Sequence, residues 1–103
     1  MLNTKQKIFT INISFLIQKA TAMGFDLTFG EVYRTIEQQK IYFDSGKSKT
    51  MDSRHILRLA VDFNIFFGGN LLFSDLNKYV NDLDVAKPLG EYWLTLHPDN
   101  VWG

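Results

Sequence analysis

The segment from Ile56 to Ile65 alternates apolar and polar side chains, and this alternation constrains the fold more than any other feature of the chain. A period of two residues is typical of a β-strand with one buried face and one polar face. The apolar face comprises Leu57, Leu59, Val61, Phe63 and Ile65, and the other face comprises Arg58, Ala60, Asp62 and Asn64. A turn at 68–70 and an apolar run at 71–73 then predict a short returning strand.

A long amphipathic pattern precedes this strand. Asn3 or Thr4 is predicted to cap a first helix that ends at Gly24. Its apolar positions predict a wide buried stripe along the helix. The stripe is centred on Ile8, Ile11 and Phe15 and is flanked by Phe9, Ile13, Leu16, Ile17 and Ala20.

Three further segments complete the pattern. The segment 25–33 carries β-forming residues around Gly30, and Thr35 is predicted to cap a second helix through Phe43. A last helix is predicted from about Pro88 to Leu96, with Trp93 in its buried stripe. We therefore expect a small single α+β domain over residues 1–103, with a short, mainly antiparallel sheet and packed helices.

Composition excludes several classes of function. Eleven basic residues balance eleven acidic ones, so we expect neither nucleic acid nor a membrane surface as a partner. The chain has no cysteine, which leaves His, Asp and Glu to hold any metal ion. The apolar run 8–17 is interrupted by Asn12 and Ser14, and no small-residue cleavage site follows it. We therefore expect no signal peptide, no membrane span and a cytoplasmic location as synthesised.

His55 and Asp62 frame the first part of the predicted strand. A carboxylate on a strand face requires solvent, a cation or hydrogen-bond donors, and imidazole and carboxylate are usual zinc ligands. If the chain bends before the strand, both residues could share one metal ion; the alternative is a surface histidine at a solvated strand end. His97 is the other histidine, and we expect it at a helix end, where it complements the helix dipole.

Four spaced motifs resemble those of a known family. They are Arg34, Gln38, Tyr42 and Gly46, then Ser53, His55 and Asp62, then Pro88, Leu89, Gly90 and Trp93, then Trp102 and Gly103. Their order and spacing resemble the zinc peptidoglycan peptidases, which include D-alanyl-D-alanine carboxypeptidases and the L-alanyl-D-glutamate endopeptidases of phage endolysins. The resemblance covers about residues 5–103.

The resemblance implies a hydrolase that cleaves peptide bonds of peptidoglycan stem peptides with a zinc-activated water. His55 and Asp62 match the first two ligands of one zinc ion. Arg34 matches an arginine that stabilises the developing oxyanion, and Gln38 and Ser53 match residues that line the same cleft. A chain without a signal peptide would reach the cell wall only if another factor released it.

One part of the family pattern has no match here. In the family, a segment after Trp-Gly supplies an acidic general base and the last histidine ligand in an Asp-x2-His motif, and no such motif follows Trp102. We therefore expect an incomplete peptidase-like domain that binds zinc weakly and has little or no activity alone. Two alternatives remain open. One is a non-catalytic phage or prophage remnant that binds a protein partner or a second copy of itself; the other is a structural domain in which His55 and Asp62 only form hydrogen bonds.

Overall fold

The computed structural model of the protein describes residues 1–102, so Gly103 of the predicted Trp-Gly pair lies outside the described part. Within residues 1–102, the chain forms α-helices and an antiparallel β-sheet. In chain order the elements are α1 (Leu2–Ala22), β1 (Phe25–Phe29), α2 (Ile36–Asp44), β2 (Phe63–Phe67), β3 (Asn70–Leu71), a 3-10 turn (Leu76–Lys78) and α3 (Tyr79–Leu96). Strand β2 lies between β1 and β3, and Phe66 of β2 is opposite Leu71 of β3. The prediction of a small α+β fold with an antiparallel sheet is confirmed.

The described chain divides into two compact units. The first unit comprises Met1–Phe9 and Phe29–Phe63, and the second comprises Thr10–Thr28 and residues 64–102. The buried apolar side chains of the described residues all belong to the second unit. They are Ile13, Leu16, Ala20, Phe25, Ile65, Leu72, Ala86, Leu89 and Trp93.

Helix α3 supplies one wall of the core of the second unit. Asp82, Ala86, Leu89 and Trp93 are buried at intervals of four and three residues, which places them along one face of the helix. The indole N–H of Trp93 donates to the carbonyl oxygen of Val101 at 3.1 Å. The position of Trp93 in the core, predicted from the sequence, is therefore confirmed.

The predicted start of the last helix at Pro88 is wrong, because α3 begins at Tyr79 and Pro88 lies inside it. Proline has no N–H to donate to the carbonyl of Asp84, so this helix loses one hydrogen bond in its interior. The buried face nevertheless continues on both sides of the proline.

The first turn of α3 is connected to the segment before it. The backbone N–H of Phe73 donates to the Asp82 carboxylate at 2.8 Å.

Helix α1 buries a different face from the predicted one. Ile8, Ile11 and Phe15 are exposed, with 43%, 55% and 44% of their surface accessible. The buried residues are Asn12, Ile13, Leu16 and Ala20, three of which were predicted as flanks of the stripe. The helix is apolar on more than one side. Because Asn12 is polar, the hydrophobic pattern did not identify its face as the buried one.

Among the described residues, no helix combines the length and the apolar character that crossing a membrane requires.

The predicted strand at 56–65 is correct only over its last three residues. Only its end lies in β2, which begins at Phe63, and residues 54–58 form turns instead. The N–H groups of Leu57 and Leu59 donate to the carbonyl of Arg54, and Arg58 takes a left-handed backbone conformation with φ 56°. A left-handed residue interrupts a strand because it reverses the local direction of the chain.

Helix α2 agrees with its prediction. The side-chain oxygen of Thr35 accepts a hydrogen bond from the N–H of Gln38 at 3.1 Å, so Thr35 is the N-cap. The cap fixes where α2 begins, and α2 carries residues that contact the candidate site.

Candidate metal centre

Glu31 and Asp62 are held side by side by hydrogen bonds of their backbones. The N–H of Gly30 donates to the carbonyl oxygen of Asp62 at 2.6 Å, and the N–H of Asp62 donates to the carbonyl oxygen of Glu31 at 2.9 Å. These bonds form just after β1 and just before β2. Only glycine fits at position 30, because a Cβ there would lie 2.9 Å from the Asp62 carbonyl oxygen.

A turn presents His55 to these two carboxylates. Ser53 Oγ accepts from the N–H of His55 at 3.2 Å, and the carbonyl of His55 accepts from the N–H of Arg34 at 3.1 Å. As a result, His55 Nε2 lies 3.4 Å from Asp62 Oδ2. This Nε2 atom is buried and has no hydrogen-bond partner among the described residues. A buried polar atom without a partner costs free energy, and a proton or a metal ion at Nε2 would remove that cost.

Glu31, His55 and Asp62 form a possible metal-binding group. Each offers one ligand atom, and these atoms lie within 4.8 Å of one another. Zinc ligands bind at about 2.0–2.2 Å, which places the ligand atoms of a tetrahedral site about 3.4 Å apart. The separation of 3.4 Å between His55 and Asp62 already has this value. Three protein ligands leave the fourth position of a tetrahedral site to water.

In one tautomer of His55, the electrostatics of this group favour a cation. The side chain of His55 is 14% exposed, and its Nδ1 lies 3.5 Å from Ser53 Oγ. When the imidazole proton is on Nδ1, the Nε2 lone pair faces the Asp62 carboxylate, and the two repel each other. A cation between them converts this repulsion into attraction.

Arg34 lies beside the same group and is 13% exposed. Its Nε donates to Glu31 Oε1 at 2.6 Å, and Nη2 forms an ion pair with the same oxygen. Its Nη1 donates to Gln39 Oε1 at 2.7 Å and to Ser53 Oγ at 3.3 Å. The guanidinium carbon also lies 4.7 Å from the ring centre of Tyr42. The structure thus brings Arg34 and Ser53, both predicted as site residues, to the predicted pair of His55 and Asp62.

Gln38 and Gln39 occupy different environments. The predicted residue, Gln38, lies in the first turn of α2, where its backbone N–H donates to the Thr35 cap. Gln39 is fully buried, and its Nε2 donates to Ser48 Oγ at 2.8 Å and to the carbonyl of Thr50 at 2.5 Å. Through its other amide atom it accepts from Arg34. Gln39 therefore connects Arg34 to the loop that leads to Ser53.

Glu31 was not predicted as a site residue. It stands next to Gly30 at the end of β1, far along the chain from the motif of His55 and Asp62. The available signal was an acidic residue beside a glycine that interrupts a run of β-forming residues, which is too common a pattern to single out a ligand. His97 follows α3, as predicted, and its Nδ1 accepts from the N–H of Asp99 at 3.1 Å.

Comparisons of the chain with protein-family models, with curated proteins and with solved structures find no match.

Proposed function

We propose that this chain is a zinc-binding, peptidase-like domain that acts on peptidoglycan stem peptides. The observation that carries the proposal is the donor group of Glu31, His55 and Asp62, in which a buried and unpartnered imidazole nitrogen faces a carboxylate. One imidazole and two carboxylates are a ligand set that binds zinc. The resemblance of the spaced motifs to zinc peptidoglycan peptidases supports the choice of substrate.

The residues around the donors suit the hydrolysis of a peptide bond. A zinc ion in this group would supply an activated water and would polarise the scissile carbonyl. Arg34 is held by Gln39 and Ser53, and its guanidinium is fixed beside the donors. A fixed cation at this position stabilises negative charge that develops on the carbonyl oxygen during attack.

We expect turnover by this polypeptide to be slow. A general base must accept a proton from the attacking water, and Glu31 is a carboxylate suited to that role. If Glu31 held the ion as the third ligand, it would be a weaker base, because the cation would withdraw electron density from the carboxylate.

The test is zinc-dependent release of fragments from purified peptidoglycan, followed by mass spectrometry. We expect slow release by the zinc-loaded chain, and none by the metal-free chain or by the zinc-treated His55→Ala variant. Fragment masses identify the bond that is cut. Zinc binding without any release over a long incubation would contradict the peptidase part of the proposal.

A second candidate function is that of a protein-binding module without catalysis. The observation that favours it is the exposure of Ile11 and Phe15, which lie four residues apart and therefore on one face of α1. Apolar side chains exposed together on a helix mark surfaces that associate with other proteins.

Self-association through this face is tested by sedimentation over a dilution series. If the face binds a second copy, we expect a concentration-dependent dimer that forms without zinc and is weakened at least tenfold in Phe15→Ser. A monomer at every concentration would contradict self-association. The exposed and apolar Leu94 on α3 provides the control, because Leu94→Ser removes an equally exposed side chain from another helix.

A further inference from the structure

Glu31 of the first unit is paired with Arg34 and is also a candidate metal ligand. Its Oε1 atom accepts from Arg34 Nε at 2.6 Å and forms an ion pair with Nη2. The same side chain is one of the three candidate metal ligands. A carboxylate that is paired with a guanidinium is less available to a metal ion, because both partners are cations that draw on the same negative charge.

We propose that Glu31 exchanges partners: it binds Arg34 in the metal-free protein and the zinc ion in the loaded protein, and the exchange releases Arg34 to bind a carboxylate-bearing ligand. This inference rests on the proposed zinc site, and it adds a mechanism by which metal loading prepares that site for an anionic ligand.

The proposed exchange requires Glu31 to be the donor that moves. His55 Nε2 and Asp62 Oδ2 are 3.4 Å apart, and the ligand atoms of all three residues lie within 4.8 Å of one another. A tetrahedral zinc site requires about 3.4 Å between ligand atoms. His55 and Asp62 already have this spacing, so the exchange assigns the adjustment to Glu31, whose carboxylate would turn from Arg34 toward the ion.

Arg34 keeps its place when Glu31 leaves. Its Nη1 remains bound to Gln39 and Ser53, and its guanidinium remains stacked near Tyr42. Gln39 is fully buried and anchored to Thr50, so the acceptor that holds Arg34 is itself fixed. The donors that become available are Nε and Nη2, the edge of the guanidinium that binds a carboxylate with two parallel hydrogen bonds.

The exchange predicts that removing Arg34 increases zinc affinity, although Arg34 lies beside the site. If Arg34 competes with zinc for Glu31, then Arg34→Gln strengthens zinc binding, and we expect a zinc dissociation constant at least tenfold lower than that of the wild type. If Glu31 instead bridges Arg34 and the ion, Arg34 orients the ligand and its loss weakens binding. Zinc affinity is measured by competition with a chelating indicator, and unchanged or weaker binding in Arg34→Gln overturns the exchange.

A matched control separates this effect from the loss of one positive charge. Lys40 is an exposed cation of the same unit and pairs with Asp44 at 2.8 Å on α2. Lys40→Gln makes the same change in net charge, and we expect it to leave the zinc dissociation constant within twofold of the wild type. An equal gain in Lys40→Gln would show a general charge effect and would contradict the exchange.

A double-mutant cycle measures how Glu31 and Arg34 together affect zinc affinity. In the background of Glu31→Gln there is no carboxylate to compete for, so adding Arg34→Gln is expected to give no further gain in zinc affinity. A full tenfold gain in that background would show that Arg34 acts on the ion directly, which overturns the exchange.

If circular dichroism shows that Arg34→Gln does not fold, Arg34→Lys replaces it. Arg34→Lys keeps the charge but lacks the planar guanidinium with its paired N–H donors. It is expected to strengthen zinc binding severalfold.

The released donors are tested with acetate as the probe. At constant ionic strength, replacing chloride with acetate is expected to lower the zinc dissociation constant of the wild type severalfold, because ligand and metal binding are reciprocally coupled. Arg34→Gln is expected to lose this dependence, and an equal dependence in both proteins overturns the carboxylate site. Absence of zinc binding in both the wild type and Arg34→Gln would instead contradict the proposed function itself.

Discussion

His55→Ala is expected to abolish stoichiometric zinc binding while lowering the free energy of unfolding of the metal-free protein by less than about 1 kcal/mol. The imidazole is the only nitrogen donor in the group of Glu31, His55 and Asp62. Its loss should weaken zinc binding by more than the roughly 10–100-fold that is typical when a group that only orients a ligand is removed. The stability cost is small because the buried Nε2 has no hydrogen bond to lose and Nδ1 loses only a long contact of 3.5 Å with Ser53 Oγ.

The control for this variant is His97→Ala. His97 is the other histidine of the chain, and it accepts a local hydrogen bond from Asp99 at the end of α3. We expect His97→Ala to bind zinc as the wild type does. An unfolded His55→Ala protein would show that His55 is structural, and zinc binding at wild-type affinity in His55→Ala would exclude it as a ligand. Isothermal titration calorimetry and urea unfolding supply the two readouts.

Gly30→Ala is expected to disturb both the fold of the first unit and the metal site. The added Cβ would meet the carbonyl oxygen of Asp62 at 2.9 Å and its Cβ at 3.2 Å, and the first of these contacts is to backbone. The chain must therefore shift, at a cost of about 1–3 kcal/mol in the free energy of unfolding. Because the same shift separates Glu31 from Asp62, zinc affinity should also fall by about 10–100-fold.

Gly46→Ala provides the matched control for this substitution. Gly46 has a φ of +80°, and a Cβ there would meet nothing within 4 Å. Alanine at this position costs about 1–2 kcal/mol through backbone strain alone, and the donor group is untouched. Gly46→Ala is therefore expected to lower stability without changing zinc affinity. If Gly30→Ala also leaves zinc affinity unchanged, the spacing of Glu31 and Asp62 does not set the site.

The elements that sequence analysis predicted well are those with a local cause. Helix α2 starts at Thr35 because a threonine oxygen can satisfy a free N–H of the first turn. The turn before β3 forms at Gly68 and Gly69, which both have a positive φ. The approach of His55 to Asp62 was also predictable, because both residues belong to one short segment with a bend between them.

The elements that sequence analysis missed depend on contacts between distant segments. Helix α1 is apolar on several sides, so only its packing decides that Leu16 is buried and Phe15 is exposed. Helix α3 continues through Pro88 because the side chains on either side of it are buried along one face. Glu31 reaches Asp62 only through backbone pairing beside Gly30, and no local pattern in the sequence encodes that pairing. The residues of the site that come from separate segments could therefore not be assigned before the fold was known.

In the proposed metal centre, Glu31, His55 and Asp62, which can hold a metal ion, bind one zinc ion. This binding is tested most directly by calorimetric titration of the metal-free chain with zinc, alongside Glu31→Gln and His55→Ala. We predict one-to-one binding at micromolar strength in the wild type, weaker binding in Glu31→Gln and none in His55→Ala. No binding by the wild type, or binding of equal strength in all three proteins, would contradict the metal centre.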